Sequence, residues 1–458
     1  MTNTYSMNRR RFIGALSATV AGLAVNSFSS VYAAGPQNEM AGQVRANLPG
    51  LPANRIPVLA WCGVDPKYST ADHFRTLKEA GFTHNLTLHN QSVETIEKAI
   101  NAAGEAGIKM FVDLINREGH AEHQHPAEIT ADLVKRFWNH PALAGWYIGD
   151  EPGRAKFPDY ADRIAALQAV YYPSARILAD EHICYANLLP NYAGPKALGT
   201  PTYREHVRTF LEEVPVPFLS FDHYPIRLDA DGNRVVSCEW YENLEVIADE
   251  AKRAGKPFWA FALSAAHVNY PAPTLADLRL QVYSNLAYGA QGIQYFTYWH
   301  PGYHPYTSAP VNVNGEKTET YSRVKEMNRE IEALSKVFLG AKMISVGHTG
   351  TVIPQGTSRL GKLPKVIKKL ETESATAVFA TSARGQDFPG AVVSLLEKGN
   401  DRFMVIVNRD VNRNMKMKIK TAASVQRILK DGSSAPAGSG LQTVDVTPGD
   451  ALIYFWKK

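Results

Sequence analysis

A short apolar run followed by an amphipathic helix recurs eight times between residues 56 and 338. No other feature restricts the fold so strongly. The runs that read as strands are Ile56–Trp61, Thr83–His89, Lys109–Ile115, the stretch from Leu143 to Asp150, Ala175–Ala179, Phe218–Asp222, Pro257–Ala262 and Gly292–Trp299. The intervening helices read as Thr70–Ala80, Ser92–Ala106, Glu128–Trp138, Phe157–Tyr171, Thr202–Val214, Trp240–Ala254, Leu275–Tyr288 and Thr320–Phe338. Gly81, Gly107 and Gly255 supply the left-handed residue that commonly ends a helix. Strictly alternating strands and helices make a parallel sheet, and eight units predict a closed (β/α)₈ TIM barrel. An open doubly wound sheet often has a glycine-rich phosphate loop after its first strand. Trp61-Cys62-Gly63-Val64-Asp65-Pro66 stands there instead, without a G-x-G-x-x-G.

The two ends of the chain follow other rules. Asn8-Arg9-Arg10-Arg11-Phe12-Ile13 opens an apolar, small-residue stretch that reaches about Val25, and Val31-Tyr32-Ala33 suits a signal peptidase. A basic region, an apolar region and a small-residue site predict a signal peptide over residues 1–33, and the arginine pair before Phe12 suggests the Tat type. The mature protein is then expected in the periplasm or outside the cell, with no stable membrane anchor. Cleavage removes three arginines and no acids, so the formal charge falls from +5 to +2. No lysine- and arginine-rich block remains to suggest nucleic acid as a partner. Residues 34–54, with Gly35, Pro36, Pro49, Gly50 and Pro52, read as a linker, leaving 55–345 for the barrel. Over residues 346–458 the helical period disappears. Thr376–Thr381, Ala391–Leu396, Phe403–Asn408, Met415–Ile419 and Ala451–Trp456 are strand-like runs between polar turns, which predicts a smaller antiparallel β-sandwich. The lysine-rich run Gly361–Lys369 reads as a solvated loop or edge.

A barrel keeps its chemistry at the carboxyl ends of its strands. The most pointed of those ends is Gly145-Trp146-Tyr147-Ile148-Gly149-Asp150-Glu151-Pro152, where an apolar strand closes on two carboxylates. Pro152 disfavours helix at Glu151 and pushes it toward an extended conformation. The rest of the predicted rim carries Trp61, His89, Asn116, Asp222, His223, Tyr224, Tyr298, Trp299 and His300. Flat rings cover the C–H faces of a sugar, and carboxylates and amides pair with its hydroxyls. Such a rim therefore suits a neutral polyhydroxylated ligand, and a carbohydrate is the expected partner. Cys62, Cys184 and Cys238 form no C-x-x-C pair, and no metal-ligand spacing or cofactor fingerprint occurs, so neither a metal nor a cofactor is expected. At most one disulfide can join three cysteines.

The barrel pattern, Trp146 through Pro152, the run Asp222-His223-Tyr224-Pro225 and the Trp299 end of the eighth strand together resemble glycoside hydrolases of clan A, of the β-galactosidase-like kind. That resemblance implies Glu151 as the general acid/base, with Asp150 standing where the family has asparagine. It also implies a nucleophilic glutamate ending the seventh strand, where Ala262 stands instead and should face the cleft.

Two carboxyl groups are ordinarily needed to cleave a glycosidic bond. The partner of Glu151 is either Asp222, ending the sixth strand, or Asp150, with Glu118 and the Asp180-Glu181 pair as weaker candidates. An adjacent Asp-Glu pair also resembles hexosaminidase-type barrels, where the substrate's own acetamide is the nucleophile. Because side chains alternate along a strand, Asp150 and Glu151 can face one cleft only if the strand has ended or bulged. Trp61, His89, Asn116, His223, Tyr224, Tyr298 and Trp299 are expected to contact the sugar. The missing seventh-strand acid keeps a second class open, a carbohydrate-binding protein without turnover.

Overall fold

The computed structural model describes residues 50–87, 92–118, 121–124, 127–171, 183–372 and 389–458. Its centre is a closed barrel of parallel strands. In chain order these are β1 (Val58–Trp61), β2 (His84–Thr87), β3 (Lys109–Asp113), β6 (Leu143–Asp150), β7 (Ile183–Leu188), β8 (Leu219–Phe221), β11 (Phe258–Leu263) and β12 (Gly292–Phe296). The ring closes through β1 pairing with both β2 and β12. Two short hairpins interrupt the alternation at the mouth: β4 (Ile115–Glu118) with β5 (Ala121–Gln124), and β9 (Ile226–Leu228) with β10 (Arg234–Val236).

The helices form where the sequence supplies caps. Thr70, Ser92, Thr202 and Thr274 each accept a hydrogen bond from a backbone N–H in the first turn, satisfying a donor that the helix itself leaves unpaired. Asp277 returns the bond to Thr274 in a capping box, and Gly107 closes its helix with φ of 73°.

Each barrel strand is buried on both faces, so alternate residues enter two different cores. Leu59, Phe111, Tyr147, Tyr185, Phe218, Trp259, Phe261 and Leu263 fill the barrel interior. Their neighbours Ala60, Val112, Trp146, Ile148, Cys184, Ala186, Ala260 and Ala262 pack outward against the helices.

Two expectations about the strands change. The fifth barrel strand is β7 at Ile183–Leu188; the run Ala175–Ala179 lies outside the described residues. Both runs are short and apolar, so only pairing with β6 and β8 selects the barrel member. The eighth strand ends at Phe296, three residues before Trp299.

Beyond the helix Glu319–Phe338, the chain enters two antiparallel sheets. The larger has the order β13 (Lys342–His348), β15 (Ala391–Lys398), β16 (Asp401–Asn408), β21 (Ala451–Lys457), β18 (Gln426–Ile428) and β19 (Ser434–Pro436). The smaller has the order β14 (Ile367–Thr372), β17 (Met415–Thr421) and β20 (Leu441–Val446). Their facing side chains, among them Met404, Ile406, Met417, Ile419 and Tyr454, make a sandwich core. The lysine-rich run ends in β14, an edge strand of the smaller sheet, as expected, and Thr376–Thr381 lies outside the described residues. On its other face the larger sheet packs against the barrel: Val392, Leu396, Phe403, Val405 and Ile453 join the outer barrel core. A hydrogen bond of 2.9 Å between Tyr288 and His348 Nε2 crosses the same junction. The three cysteines are free, so no disulfide supports either part.

Candidate active site

The acids meet at the carboxyl ends of β3, β6 and β8. In β6, Tyr147 points into the barrel and Ile148 out of it. A Cβ on Gly149 would lie 2.0 Å from the ring of Tyr160 on the flanking helix, so Gly149 also faces outward. Two consecutive outward positions mark a bulge, seen as a register shift against β7 between Tyr147 and Gly149. The bulge returns Asp150 to the inner side, where the Tyr147 hydroxyl donates to its Oδ1 at 2.7 Å. Glu151 is not extended, as Pro152 after it suggests, but follows with φ of 47°, a left-handed conformation that costs a non-glycine residue roughly 1–2 kcal/mol. Its N–H donates to the carbonyl of Asn187 at 2.8 Å, which helps hold the turn. The ordinary alternation is thereby broken twice, and two adjacent carboxyl groups become available at one mouth. Glu151 is exposed, whereas Asp150 is half-buried.

Asp222 follows β8 directly and is 9% exposed. Its Oδ1 accepts from Asn187 Nδ2 at 2.7 Å; Ser220 donates to Asn187 Oδ1 at 2.9 Å, and Gln294 Nε2 donates to Ser220 Oγ at 2.8 Å. This chain of polar groups crosses the barrel interior from β12 through β8 to β7 and fixes the carboxyl from below. Burial pushes Asp222 up to about 7; the charge of Asp150 adds to the rise, and Asn187 and Tyr224 oppose it. A carboxyl group that keeps a proton near neutral pH can donate it to a leaving group.

Tyr224 is 7% exposed, packs in the inner core, and lies within electrostatic reach of Asp222, Glu151 and Asp150. Asp222 and Glu151 act on Tyr192 as well, so the two acids address one space. His223 turns aside. Its Nδ1 donates to Asn243 Oδ1 at 3.2 Å, its ring meets Tyr192 edge-on at 5.0 Å, and burial lowers it to about 4, which leaves the imidazole neutral.

The remaining expected contacts are distributed unevenly. Trp61 is 5% exposed and stands edge-on to Tyr147 and Phe261, a floor to the mouth. Tyr298 has no exposed surface and packs on Phe82 at 5.2 Å in the layer between barrel and helices. Trp299 is 3% exposed and lies against Tyr68 at 5.1 Å in that same layer. Both stand away from the acids, because the strand that was to aim them stops at Phe296. Asn116 lies in the β4–β5 hairpin, paired through its backbone with His123. His89 and the Asp180-Glu181 pair lie outside the described residues. Ala262 does not face the cleft: it packs in the outer layer, with Phe261 and Leu263 as the inward neighbours. The next residues, Ser264 and Ala265, are buried and carry no acid, so β11 contributes no carboxyl group to the mouth.

Several groups at the site escape a reading of the sequence. Asn187 sits in a run that competes with a second apolar run for the fifth strand; its lone amide among apolar residues was the available signal. Asp113, 5% exposed at the end of β3, precedes the residues expected at that rim, and its Oδ1 accepts from Ile115 N at 2.8 Å. Asp113 and Asp150 both add to the rise that burial imposes on the phenol of Tyr185 between them. Tyr192, Arg227, His267 and Tyr270 come from connecting segments that carry no periodicity.

No curated protein matches the chain. Among solved structures, the chain is similar to a β-galactosidase from the psychrophilic Marinomonas ef1, with a TM-score of 0.42 and 12% identity over 61% of this chain and 60% of that one. A β-galactosidase from the Antarctic haloarchaeon Halorubrum lacusprofundi gives 0.42 and 12% over 60% and 58%. AmyP in complex with maltose gives 0.49 and 10% over 90% and 97%. The matched part spans about three fifths of each β-galactosidase's own length. Residues 201–334, which include Asp222, match the family model Glyco_hydro_42, described as Beta-galactosidase.

Proposed function

We propose that the protein hydrolyses a glycosidic bond with Asp222 as the proton donor and Glu151 as its partner carboxylate. One observation supports this reading above others: Asp222 is a buried carboxyl pushed up to about 7 by burial and by Asp150, at the same mouth as the exposed Glu151. Glycoside hydrolysis uses one carboxyl group that gives a proton to the leaving oxygen and a second that works on the sugar or on water. Asp222 has the environment of the first and Glu151 the access of the second, which exchanges the role that resemblance alone gives Glu151. Asp150, whose Oδ1 accepts from Tyr147, adds electrostatically to the rise of Asp222 and so tunes it.

A panel of aryl glycosides, including N-acetylhexosaminides, tests the reading. Wild-type protein should turn over at least one member. Asp222→Asn and Glu151→Gln should each lower kcat by roughly 10²–10⁴. Asp222→Asn should also abolish the alkaline limb of the pH profile. Unchanged turnover in either variant refutes the corresponding assignment. Turnover confined to 2-acetamido substrates transfers the partner's role to Asp150 and the substrate's own acetamide.

The absence of a carboxyl group at the end of β11 favours a second reading, carbohydrate binding without hydrolysis. Saturable binding of a glycoside that is never cleaved would establish it.

A further inference from the structure

Arginines of this protein usually hold a carboxylate: Arg204 and Arg208 hold Glu250, Arg234 holds Asp277, and Arg279 holds Glu330. Arg227 holds none among the described residues. It lies in the β9 strand, just after the Asp222-His223-Tyr224-Pro225 segment that carries the proposed acid. Its guanidinium stands 5.6 Å from the ring centroid of Tyr192 and 5.1 Å from that of Tyr270. Cation–π attraction to two rings and a side-chain hydrogen bond to Tyr270 hold the cation in place without neutralising it. Its Nε is buried and has no hydrogen-bond partner among the described residues, while the side chain as a whole is only half-buried.

The position of this cation connects it to the cleft. Tyr192 is within electrostatic reach of Arg227, Asp222 and Glu151 together. Tyr270 meets Tyr224 edge-on at 6.0 Å, and Tyr224 adjoins Asp222. A charged fork thus waits at one side of a mouth that otherwise carries acids. Left alone, acids at a mouth repel an anionic ligand, and a cation there with no carboxylate partner among the described residues offsets that repulsion at one point. A planar guanidinium matches a carboxylate through two parallel hydrogen bonds, a fit that a neutral hydroxyl cannot supply. Tyr192, 48% exposed, offers apolar ring surface to a sugar beside it.

We propose that Arg227 recognises an anionic group on the bound saccharide, and that this group is the carboxylate of a uronic acid. The inference rests on the reading of the mouth as a saccharide site, and it does not require hydrolysis there. The plainer alternative is that Arg227 only balances the acids, in which case neutral and acidic sugars bind alike.

The test is equilibrium binding to the full chain by ligand-observed NMR titration. The probes are methyl β-D-glucuronide against methyl β-D-glucoside, methyl α-D-galacturonide against methyl α-D-galactoside, and a 6-sulfated methyl galactoside. Wild type should prefer at least one uronide over its neutral counterpart on the order of tenfold, about 1.4 kcal/mol. Arg227→Gln should reduce that preference to about one. Arg227→Lys, which keeps the charge and loses the fork, should retain only part of it; circular dichroism checks that each variant is folded. Equal binding of the acidic and neutral sugars by wild type overturns the proposal without reference to any variant. A preference that survives Arg227→Gln overturns it too, and tighter binding of the sulfated sugar than of the uronides overturns the choice of a carboxylate. Uronide preference without turnover of any glycoside would leave this inference standing and remove the hydrolase reading. Turnover of neutral glycosides with no uronide preference would do the reverse.

Discussion

Asp222→Asn should make the barrel more stable at pH 8 and leave it unchanged near pH 4. Folding moves Asp222 from an ordinary value of 3.8 up to about 7. Below pH 3.8 the residue is protonated in both folded and unfolded chains, so it contributes no difference. As pH rises, the unfolded chain ionises first while the folded one retains its proton, and the folded state loses ground. Above about 7 both are ionised and the penalty is complete. At about 1.4 kcal/mol per pH unit, roughly three units set an upper bound of about 4 kcal/mol. The replacement is uncharged and its amide oxygen still accepts from Asn187, so it removes the penalty while keeping the main hydrogen bond.

Urea unfolding followed by tryptophan fluorescence measures this. Trp61, Trp138, Trp146, Trp240, Trp259 and Trp299 all fall between the first barrel strand and the last helix, and only Trp456 lies beyond, so the signal reports the barrel. The midpoint of the variant should exceed that of wild type by roughly 1 M at pH 8, for a urea dependence of about 3 kcal/mol per molar. The difference should shrink steadily below pH 7 and disappear near pH 4. A variant less stable than wild type at pH 8, or a difference that does not change with pH, refutes an Asp222 held protonated by burial.

Asn187→Ala removes the amide that opposes the rise in Asp222, so the alkaline limb of any pH–rate profile should move to higher pH; a limb that stays or falls contradicts the network. The same substitution removes the buried acceptor of the Ser220 hydroxyl and the buried amide donor to Asp222, and should cost about 1–3 kcal/mol by denaturant unfolding. Gly149→Ala places a methyl 2.0 Å from the fully buried Tyr160 ring, and overpacking of this kind should cost about 1–3 kcal/mol, measured the same way; a neutral effect would show that the bulge is not fixed by that contact. We propose that residues 1–33 are removed on export, which puts the mature N-terminus at Ala34; intact mass of periplasmic protein that retains Met1 to Ala33 refutes this.

The barrel was legible in the sequence because its rules are local. An apolar run and a 3.6-residue period follow from which faces must be buried, and threonine, serine and glycine at helix ends declare the boundaries. At the tip of β6 the same rules locate the two carboxylates but not their conformation, since Glu151 is left-handed where the proline after it suggests an extended residue. Which residues face the cleft was a different matter. Alternation assigns a face only while a strand is regular, and here it fails at the positions that count. The bulge before Gly149 and the left-handed Glu151 bring adjacent acids to one mouth, while the early end of β12 leaves Tyr298 and Trp299 among the helices. One residue of register separates Ala262 in the outer layer from Leu263 in the inner one. The fifth strand was chosen by hydrogen bonding to neighbours some 40 residues away in the chain, which is why Asn187 could not be assigned beforehand. Asp222 itself is an ordinary aspartate in the sequence; its burial, its amide partner and the nearby Asp150 come from separate strands, and only the closed barrel brings their effects onto one carboxyl group.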